Sequence, residues 1–381
     1  MRAIPVTVLG PHKSGKTVYL ASLFRRLALQ RDDIGFFVQL PSDQGQRLNN
    51  VYNEIVSPGA WPDPTLLSDV SEWEFTCAIR THADKVFRPF AITYMDFAGE
   101  HLTSGKRTEA HARVWKRVEE SEFLLVLLDG AKVLRCFEGD YRVVDELVQV
   151  FNVVAGSKAV VHFVVTKWDL LQTAGHTVRS VMDQLMKHPD FHDCVETRLR
   201  QSDTSGRLRV IPVSSVGAGF AVPDGEAMVK QGGFPRPLNV EVPLMAVLVD
   251  LFDRHLNEMA AEGSVAEGAA QEQRQAQKLK WIRTIQGQLP VVKALLGARA
   301  VKTPALKVLQ ETMLGPFMDF VGRQVDEYGQ RVEHDVAALR AEALQARSEQ
   351  EALSRLIHLF EAALAEFEIG HPGSRLRKEA A

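Results

Sequence analysis

The chain has few cysteines and no long apolar run. Its 381 residues contain three cysteines, Cys77, Cys136 and Cys194, which are far apart and form no C-x-x-C pair. An odd, scattered set argues against a disulfide framework and a zinc site, and it favours a reducing compartment. No uninterrupted apolar run reaches the roughly 18 residues that a membrane-spanning helix needs. We therefore expect a cytoplasmic protein without a transmembrane segment.

The chain also lacks a strong charge of one sign. It has 45 Lys and Arg residues against 48 Asp and Glu residues, a formal net charge of −3. This balance gives no electrostatic case for nucleic-acid binding. A length of 381 residues suits one large domain and a smaller one.

Residues 10–17 read Gly-Pro-His-Lys-Ser-Gly-Lys-Thr, a complete phosphate-binding P-loop. The loop follows an apolar run at residues 3–9 and precedes a run with helical spacing at residues 18–27, which is the required order of strand, loop and helix. In such a loop, backbone N–H groups surround the phosphates, the lysine reaches the β- and γ-phosphates, and the threonine hydroxyl binds Mg²⁺. The predicted nucleotide contacts here are Gly10, Lys13, Ser14, Gly15, Lys16 and Thr17.

A second motif, Asp96-Phe97-Ala98-Gly99, follows the strand-like run at residues 90–95. An acid at the end of a strand beside the P-loop strand holds Mg²⁺, usually through water, and the glycine can offer its N–H to the γ-phosphate. Such tetrapeptides are also common turns, so the position after a strand favours the functional interpretation. We predict Asp96 as a metal ligand and Gly99 as a phosphate contact.

The segment Thr166-Lys167-Trp168-Asp169 follows another apolar run, at residues 159–165. The Asp169 carboxylate can accept hydrogen bonds from guanine N1–H and the 2-amino group, and adenine has no matching donors. The Lys167 stem can lie along the base. Taken alone, the segment could equally be a capped helix start.

Ser214 and Ser215 end a last strand-like run, at residues 208–213, where small residues let the backbone approach the guanine carbonyl. Alone this is an ordinary transition from strand to loop. All four motifs, however, fall at the carboxyl ends of predicted strands, which is where open α/β sheets bind ligands. Their order favours GTP over ATP.

These four motifs resemble the phosphate, magnesium and guanine boxes of the Ras-like, translation-factor class of P-loop GTPases. Within that class the sequence is most similar to the bacterial double-GTPase families, over about residues 1–255. The similarity includes Tyr19-Leu20 after the P-loop, Glu100 after Gly99, Trp61-Pro62-Asp63-Pro64-Thr65 and Asn239-Val240-Glu241-Val242-Pro243-Leu244. It implies GTP or GDP and Mg²⁺ as ligands and GTP hydrolysis as the activity.

Departures from the family pattern point to slow intrinsic hydrolysis. Glu100 stands where Ras-like enzymes use Gln to orient the attacking water, and Thr166 stands where Asn is usual. A bulky His12 near the γ-phosphate could obstruct an arginine supplied by a partner. The predicted catalytic residues are Lys16, Glu100 and His101, the last two on resemblance and position alone.

About 80 positions separate Lys16 from Asp96, far more than one crossover helix with short loops would use. Residues 31–71 are rich in Pro, Asp, Asn and Gly, which predicts a long loop with a short helix. Thr65, from the Trp-Pro-x-x-Thr match, is predicted to bind Mg²⁺ only when the γ-phosphate is present. The alternative is that Thr65 is an ordinary surface threonine.

The composition shifts in the C-terminal third. Apolar residues recur every three or four positions over residues 317–368, which predicts long helices. We therefore predict a doubly wound, mostly parallel α/β GTPase domain (1–255) and an α-helical C-terminal domain (256–381). The helices either pack within the chain or serve self-association or a protein partner.

The sequence thus predicts a GTP-binding molecular switch with slow hydrolysis. Its switch loops would signal to the helical region or to a protein effector or regulator. A GTP-binding scaffold without useful hydrolysis stays open, as does an ATP-using P-loop enzyme, which Lys167 and Asp169 disfavour.

Overall fold

The computed structural model describes residues 3–11, 13–31, 33–63, 70–97, 109–201, 207–225, 227–261, 339–340, 343–347 and 349–376. Contacts divide the chain into two compact units, one of Met1–Leu251 with Asp335–Ala381 and one of Phe252–His334. Of the second unit, only residues 252–261 are described, and they are helical. No described helix is long and apolar enough to span a bilayer.

The first unit is built on a sheet whose seven described strands have the order β2-β3-β4-β1-β5-β6-β7. The P-loop strand β1 lies between β4 and β5 and is parallel to both, and the parallel pairing continues through β6 to β7. Only β3 runs antiparallel to its neighbours β2 and β4. The bounds are β1 Ala3–Leu9, β2 Phe37–Gln39, β3 Val70–Arg80, β4 Val86–Phe97, β5 Phe123–Asp129, β6 Val160–Thr166 and β7 Arg209–Pro212.

Helices connect the strands, and the fold class expected from the sequence, a doubly wound and mostly parallel sheet, is confirmed. Every residue of β5 and of β6 is buried, as expected for central parallel strands covered on both faces. The helices are α1 Lys16–Leu27, α2 Ser42–Val56, α3 Glu109–Glu120, α4 Gly130–Cys136, α5 Arg142–Asp145, α6 Val148–Gly156, α7 Trp168–Thr173, α8 Val178–Leu185, α9 Pro189–Arg200, α10 Val242–Ala261 and α11 Glu349–Gly370. A separate hairpin pairs β8 Ala221–Asp224 with β9 Ala227–Lys230.

Over residues 31–71 the predicted helix is present, but it is longer than predicted, and the prediction of loop for the rest of the segment missed β2. The structure places strand β2 and the 15-residue helix α2 in this segment. Polar residues dominate α2, but Leu48 and Ile55 lie seven positions apart on one stripe, and both are buried. Only these two apolar side chains of α2 are buried, so the helical pattern is weak in a sequence that is otherwise polar.

The last helix, α11, packs within the first unit. The ring of Phe360 lies 4.8 Å from the ring of Phe36, and Leu356 and Ile357 are also buried. Helix was predicted over residues 317–368; it is confirmed from Glu349, and residues 344–347 before it are not helical. The division into domains 1–255 and 256–381 stays a prediction.

A buried ionic cluster joins the sheet to helices α10 and α11. Arg209 of β7 donates to both carboxylate oxygens of Asp250 at 3.0 Å and also contacts Glu368 of α11. His162 Nε2 lies 3.2 Å from Asp250 Oδ2, and neither side chain is exposed. Burial alone would raise the pKa of Asp250, but Arg209 and His162 hold it well below the usual value.

Candidate functional site

Four of the predicted motifs lie at the carboxyl ends of strands in the main sheet. The P-loop follows β1, Asp96 is the next-to-last residue of β4, and residues 166–169 follow on from β6. Ser214 and Ser215 come just after β7. Because β4, β1, β5, β6 and β7 are adjacent and parallel, the described residues of these motifs share one edge of the sheet.

The P-loop backbone has the form of an anion-binding loop. Lys13 and Gly15 are both left-handed, with φ of 62° and 89°, on either side of Ser14. Alternation of this kind directs successive N–H groups into one concavity, called a nest. A β-carbon at Gly10 would lie 2.6 Å from Ser14 Oγ and 3.1 Å from Leu127 Cβ, so any other residue here would force these neighbours to shift.

Lys16 lies in the first turn of α1 and is only 7% exposed. Its Nζ donates to Gly10 O at 3.0 Å and to Pro11 O at 3.1 Å, so the side chain bends back over the loop. Thr17 follows it in the same turn. No acidic side chain lies in this first turn, so no negative charge there offsets the positive end of the helix dipole, which faces the loop.

Thr166 links the P-loop to the loop after β6. Its Oγ1 lies 2.9 Å from Ser14 O and 3.2 Å from Leu128 O, and it can donate its one proton to either carbonyl. Thr166, which stands where asparagine is usual, can therefore still hydrogen-bond to the phosphate loop. The side chain is buried, which protects the contact from water.

Asp129 is a site residue that the sequence reading missed. The sequence of residues 122–129, an almost wholly apolar run that ends in Asp129, predicts a buried core strand and no role in the site. In the structure Lys167 Nζ donates to Asp129 Oδ2 at 2.7 Å, and Asp129 Oδ1 accepts from the N–H of Ala131. The rule that indicated Asp96, an acid at the carboxyl end of a strand next to β1, also applies to Asp129.

The backbone after β5 and the backbone after β6 come into close contact at Gly130, the first residue of α4. A β-carbon there would lie 2.1 Å from Thr166 O and 3.0 Å from Lys167 O, and both are rigid backbone atoms. We predict that Gly130→Ala lowers the free energy of unfolding by about 1–3 kcal/mol, the usual cost of overpacking. Guanine-nucleotide affinity should fall with it, because residues 166 and 167 must shift. Urea unfolding and a nucleotide titration measure the two effects.

Gly156 offers the matched control for this substitution. It ends α6, and a β-carbon there would have no neighbour within 4 Å. Gly156→Ala should leave stability unchanged or raise it by a few tenths of a kcal/mol. Equal effects of the two substitutions would show that the contact at Gly130 is not tight.

The loops after β6 and β7 are joined by a buried hydrogen bond. Ser214 Oγ donates to Asp169 Oδ1 at 2.6 Å and accepts from the N–H of Gly217 at 2.8 Å. The N–H of Trp168 donates to Val213 O at 3.1 Å. Asp169 is 6% exposed, so its carboxylate is fixed in orientation. Ser215, the next residue along, is partly buried.

The structure thus gathers the predicted P-loop residues, Thr166, Lys167, Asp169 and Ser214 in one cluster. For Asp96 the backbone alone is described: it follows Met95, which pairs with Thr7 of β1. Five predicted residues lie outside the described residues: His12, Thr65, Gly99, Glu100 and His101.

A mostly parallel sheet with a P-loop between β1 and α1, and with the motifs Thr166–Asp169 and Ser214–Ser215 after β6 and β7, has the arrangement of the P-loop GTPase class. The family model of Double-GTPase 2 matches residues 4–207, more than half of the chain. The chain belongs to the Double-GTPase 2 family. Membership of this GTPase family implies that the chain binds a guanine nucleotide.

Solved structures with similarity to the chain include two GTP-bound proteins. One is a chain of the signal recognition particle receptor SRb-GTP/SRX complex from Chaetomium thermophilum, with 17% identity and a TM-score of 0.32, covering 57% of this chain and 94% of that one. The other is the S. cerevisiae Ski7 GTPase-like domain bound to GTP, with 12% identity and a TM-score of 0.31, covering 60% of this chain and 47% of that one. Among curated proteins none matches.

Proposed function

We propose that the chain is a GTP-binding molecular switch with slow intrinsic hydrolysis. The observation that carries this proposal is the hydrogen bonding that joins the phosphate loop to the base loops. Thr166 holds the P-loop through Ser14 O, and Ser214 holds Asp169. Phosphate and base contacts of one nucleotide would therefore be fixed relative to each other before it binds.

Asp169 would select the base. One carboxylate oxygen accepts from Ser214 Oγ, and a carboxylate has acceptor capacity to spare for guanine N1–H and the 2-amino group. Adenine presents no such pair of donors, so binding it would leave the buried carboxylate short of partners. Lys167, held by Asp129, would place its stem along the base.

The phosphate end would be held by Lys16 and by the N–H groups of residues 13–17. Thr17 and Asp96 would hold Mg²⁺ through a hydroxyl and a carboxylate, a donor set that suits this ion, and Thr65 would join them when the γ-phosphate is present. The ion would supply positive charge to offset the negative charge of the phosphates. Glu100 and His101 would position the attacking water.

A molecular switch also needs a structural element or a partner protein that responds to the bound nucleotide. Within the chain, Leu359 of α11 and Arg340 lie against Gly35, in the segment between α1 and β2. This contact gives a route from the nucleotide domain to the last helix. We also propose a cytoplasmic protein effector or regulator that responds to the bound nucleotide.

We predict that Asp169→Asn changes the base preference from guanine to xanthine. The amide replaces one acceptor oxygen with an N–H donor, which opposes the guanine 2-amino group and matches the 2-carbonyl of xanthine. Affinity for GDP should fall about 100-fold, and affinity for xanthosine diphosphate should rise above it. Titrations of both nucleotides against both proteins measure the change.

The wild-type chain supplies the controls for the proposed function. It should bind GTP at least about 100-fold more tightly than ATP, the discrimination expected of polar base contacts. Equal affinities would refute the guanine assignment. Phosphate release measured over many hours separates the slow GTPase from a scaffold that binds GTP without cleaving it.

A further inference from the structure

The chain passes the carboxyl end of β7 twice. Residues 214–217, which we call the guanine loop, follow this strand, and residues 235–239, which we call the return segment, lie between the β8–β9 hairpin and α10. The N–H of Ser214 donates to Leu238 O at 3.0 Å, and the N–H of Leu238 donates to Ser214 O at 2.8 Å. This exchange of both hydrogen bonds is that of an antiparallel pair. The guanine loop therefore has a second backbone segment bonded to it.

Two further contacts extend this pairing. The N–H of Arg236 donates to Val216 O at 2.7 Å. Gly217 is left-handed, with a φ of 83°, and a β-carbon on it would lie 2.2 Å from Arg236 O and 3.0 Å from Arg236 C. Both of these are backbone atoms, which cannot move aside as the end of a flexible side chain can. The two segments are therefore in close contact at Gly217 as well as hydrogen-bonded.

The sequence of the return segment makes it stiff. Pro235 and Pro237 alternate with Arg236 and Leu238. The proline ring fixes φ, and a residue before proline is restricted to extended conformations. Proline also has no N–H, so the donors of this stretch are those of Arg236 and Leu238, and both bond to the guanine loop. The segment therefore loses little conformational entropy when it forms these bonds.

Asn239 ends the return segment and bonds to the end of β7. Its φ is 56°, in the left-handed region, which asparagine adopts more readily than most residues. Its Nδ2 donates to Pro212 O at 3.1 Å. The next carbonyl, Val213 O, accepts from the N–H of Trp168 at 3.1 Å. The end of β7 is thus bonded both to the return segment and to the loop that contains Asp169.

We propose that the return segment is the positioning element of the guanine site, and that it sets the selectivity for guanine over adenine. The proposal rests on the proposed function. Ser214 is the link, since its backbone pairs with Leu238 while its Oγ donates to Asp169 at 2.6 Å. A shift of Ser214 would therefore release the carboxylate that selects the base. The P-loop is held through Thr166, so the phosphate contacts should change little.

The test compares Gly217→Ala with Gly219→Ala in the full chain. Both glycines are left-handed, with φ of 83° and 77°, so alanine strains the backbone at each, but a β-carbon at Gly219 would have no neighbour within 4 Å. Gly217→Ala must push the guanine loop and the return segment apart. We expect the ratio of GDP affinity to ADP affinity to fall about 10-fold, with ADP affinity close to wild type. Gly219→Ala should keep the wild-type ratio.

Asn239→Asp decides the question if Gly217→Ala does not fold. Aspartate keeps the shape of the side chain and also tolerates a left-handed φ, but it replaces the donor to Pro212 O with an acceptor. The ratio should then fall about fivefold, the usual effect of one hydrogen bond. An unchanged ratio, equal losses for GDP and ADP, or equal effects of the two alanine substitutions would overturn the proposal. A wild-type chain with equal affinity for GTP and ATP would instead overturn the proposed function.

Discussion

Lys16→Met should reduce affinity for GTP and GDP by about 100-fold or more. Lys16 is the buried cation of the P-loop, and its Nζ now bonds to Gly10 O and Pro11 O. In the complex the same ammonium would face the β- and γ-phosphates, where charge-assisted hydrogen bonds are at their strongest. Methionine keeps the length of the side chain and removes the charge. Fluorescent-nucleotide titration measures the loss.

A decline in fold stability must be separated from this loss of binding. The two hydrogen bonds of Lys16 within the loop are worth about 1 kcal/mol each, so a small decrease in melting temperature is expected. Lys187→Met removes an exposed lysine whose Nζ donates to the side chain of Gln184, and this variant should bind nucleotide as wild type does. If Lys16→Met keeps wild-type affinity, the loop at residues 10–17 is not the phosphate site.

Asp250→Ala should lower the free energy of unfolding by about 3–5 kcal/mol. The substitution leaves the Arg209 guanidinium buried without its main partner, since Asp250 accepts two hydrogen bonds from it at 3.0 Å. The pKa of Asp250 is held well below its ordinary value, so the ionised carboxylate stabilises the folded state. This contribution is fully present above pH about 4 and is lost as the pH falls below that value. Urea unfolding at pH 7 measures the loss.

Glu368→Gln is the control for this prediction. Glu368 contacts the same guanidinium but is 23% exposed, so water can replace much of what is lost. We expect a loss of about 1 kcal/mol. The double substitution Arg209→Met with Asp250→Leu should be more stable than Asp250→Ala, because it leaves no unpaired charge at the pair. A loss for Asp250→Ala no larger than that for Glu368→Gln would contradict the prediction.

Much of the sheet could be predicted from local sequence alone. The central parallel strands are short runs of apolar residues because both of their faces are buried. Each can therefore be predicted from its own residues, without knowledge of the strands beside it. The strand-like run at residues 122–129 and the observed β5, Phe123–Asp129, differ by one residue. By contrast the length of α2 was underestimated as a short helix in a long loop, because two buried side chains hold a helix that is otherwise polar. The hairpin of β8 and β9 gave no signal either, since its strands are four residues each.

The sequence by itself determined the phosphate loop and the order of the nucleotide motifs, and it predicts the guanine preference. Each of these depends on residue types at fixed spacing beside a strand end, which is local information. Only the tertiary structure decided what holds those residues in place: Asp129 against Lys167, and Ser214 against Asp169. These pairs are 38 and 45 positions apart. Such distant pairs form because strands that are remote in sequence lie side by side, and no local pattern encodes that adjacency.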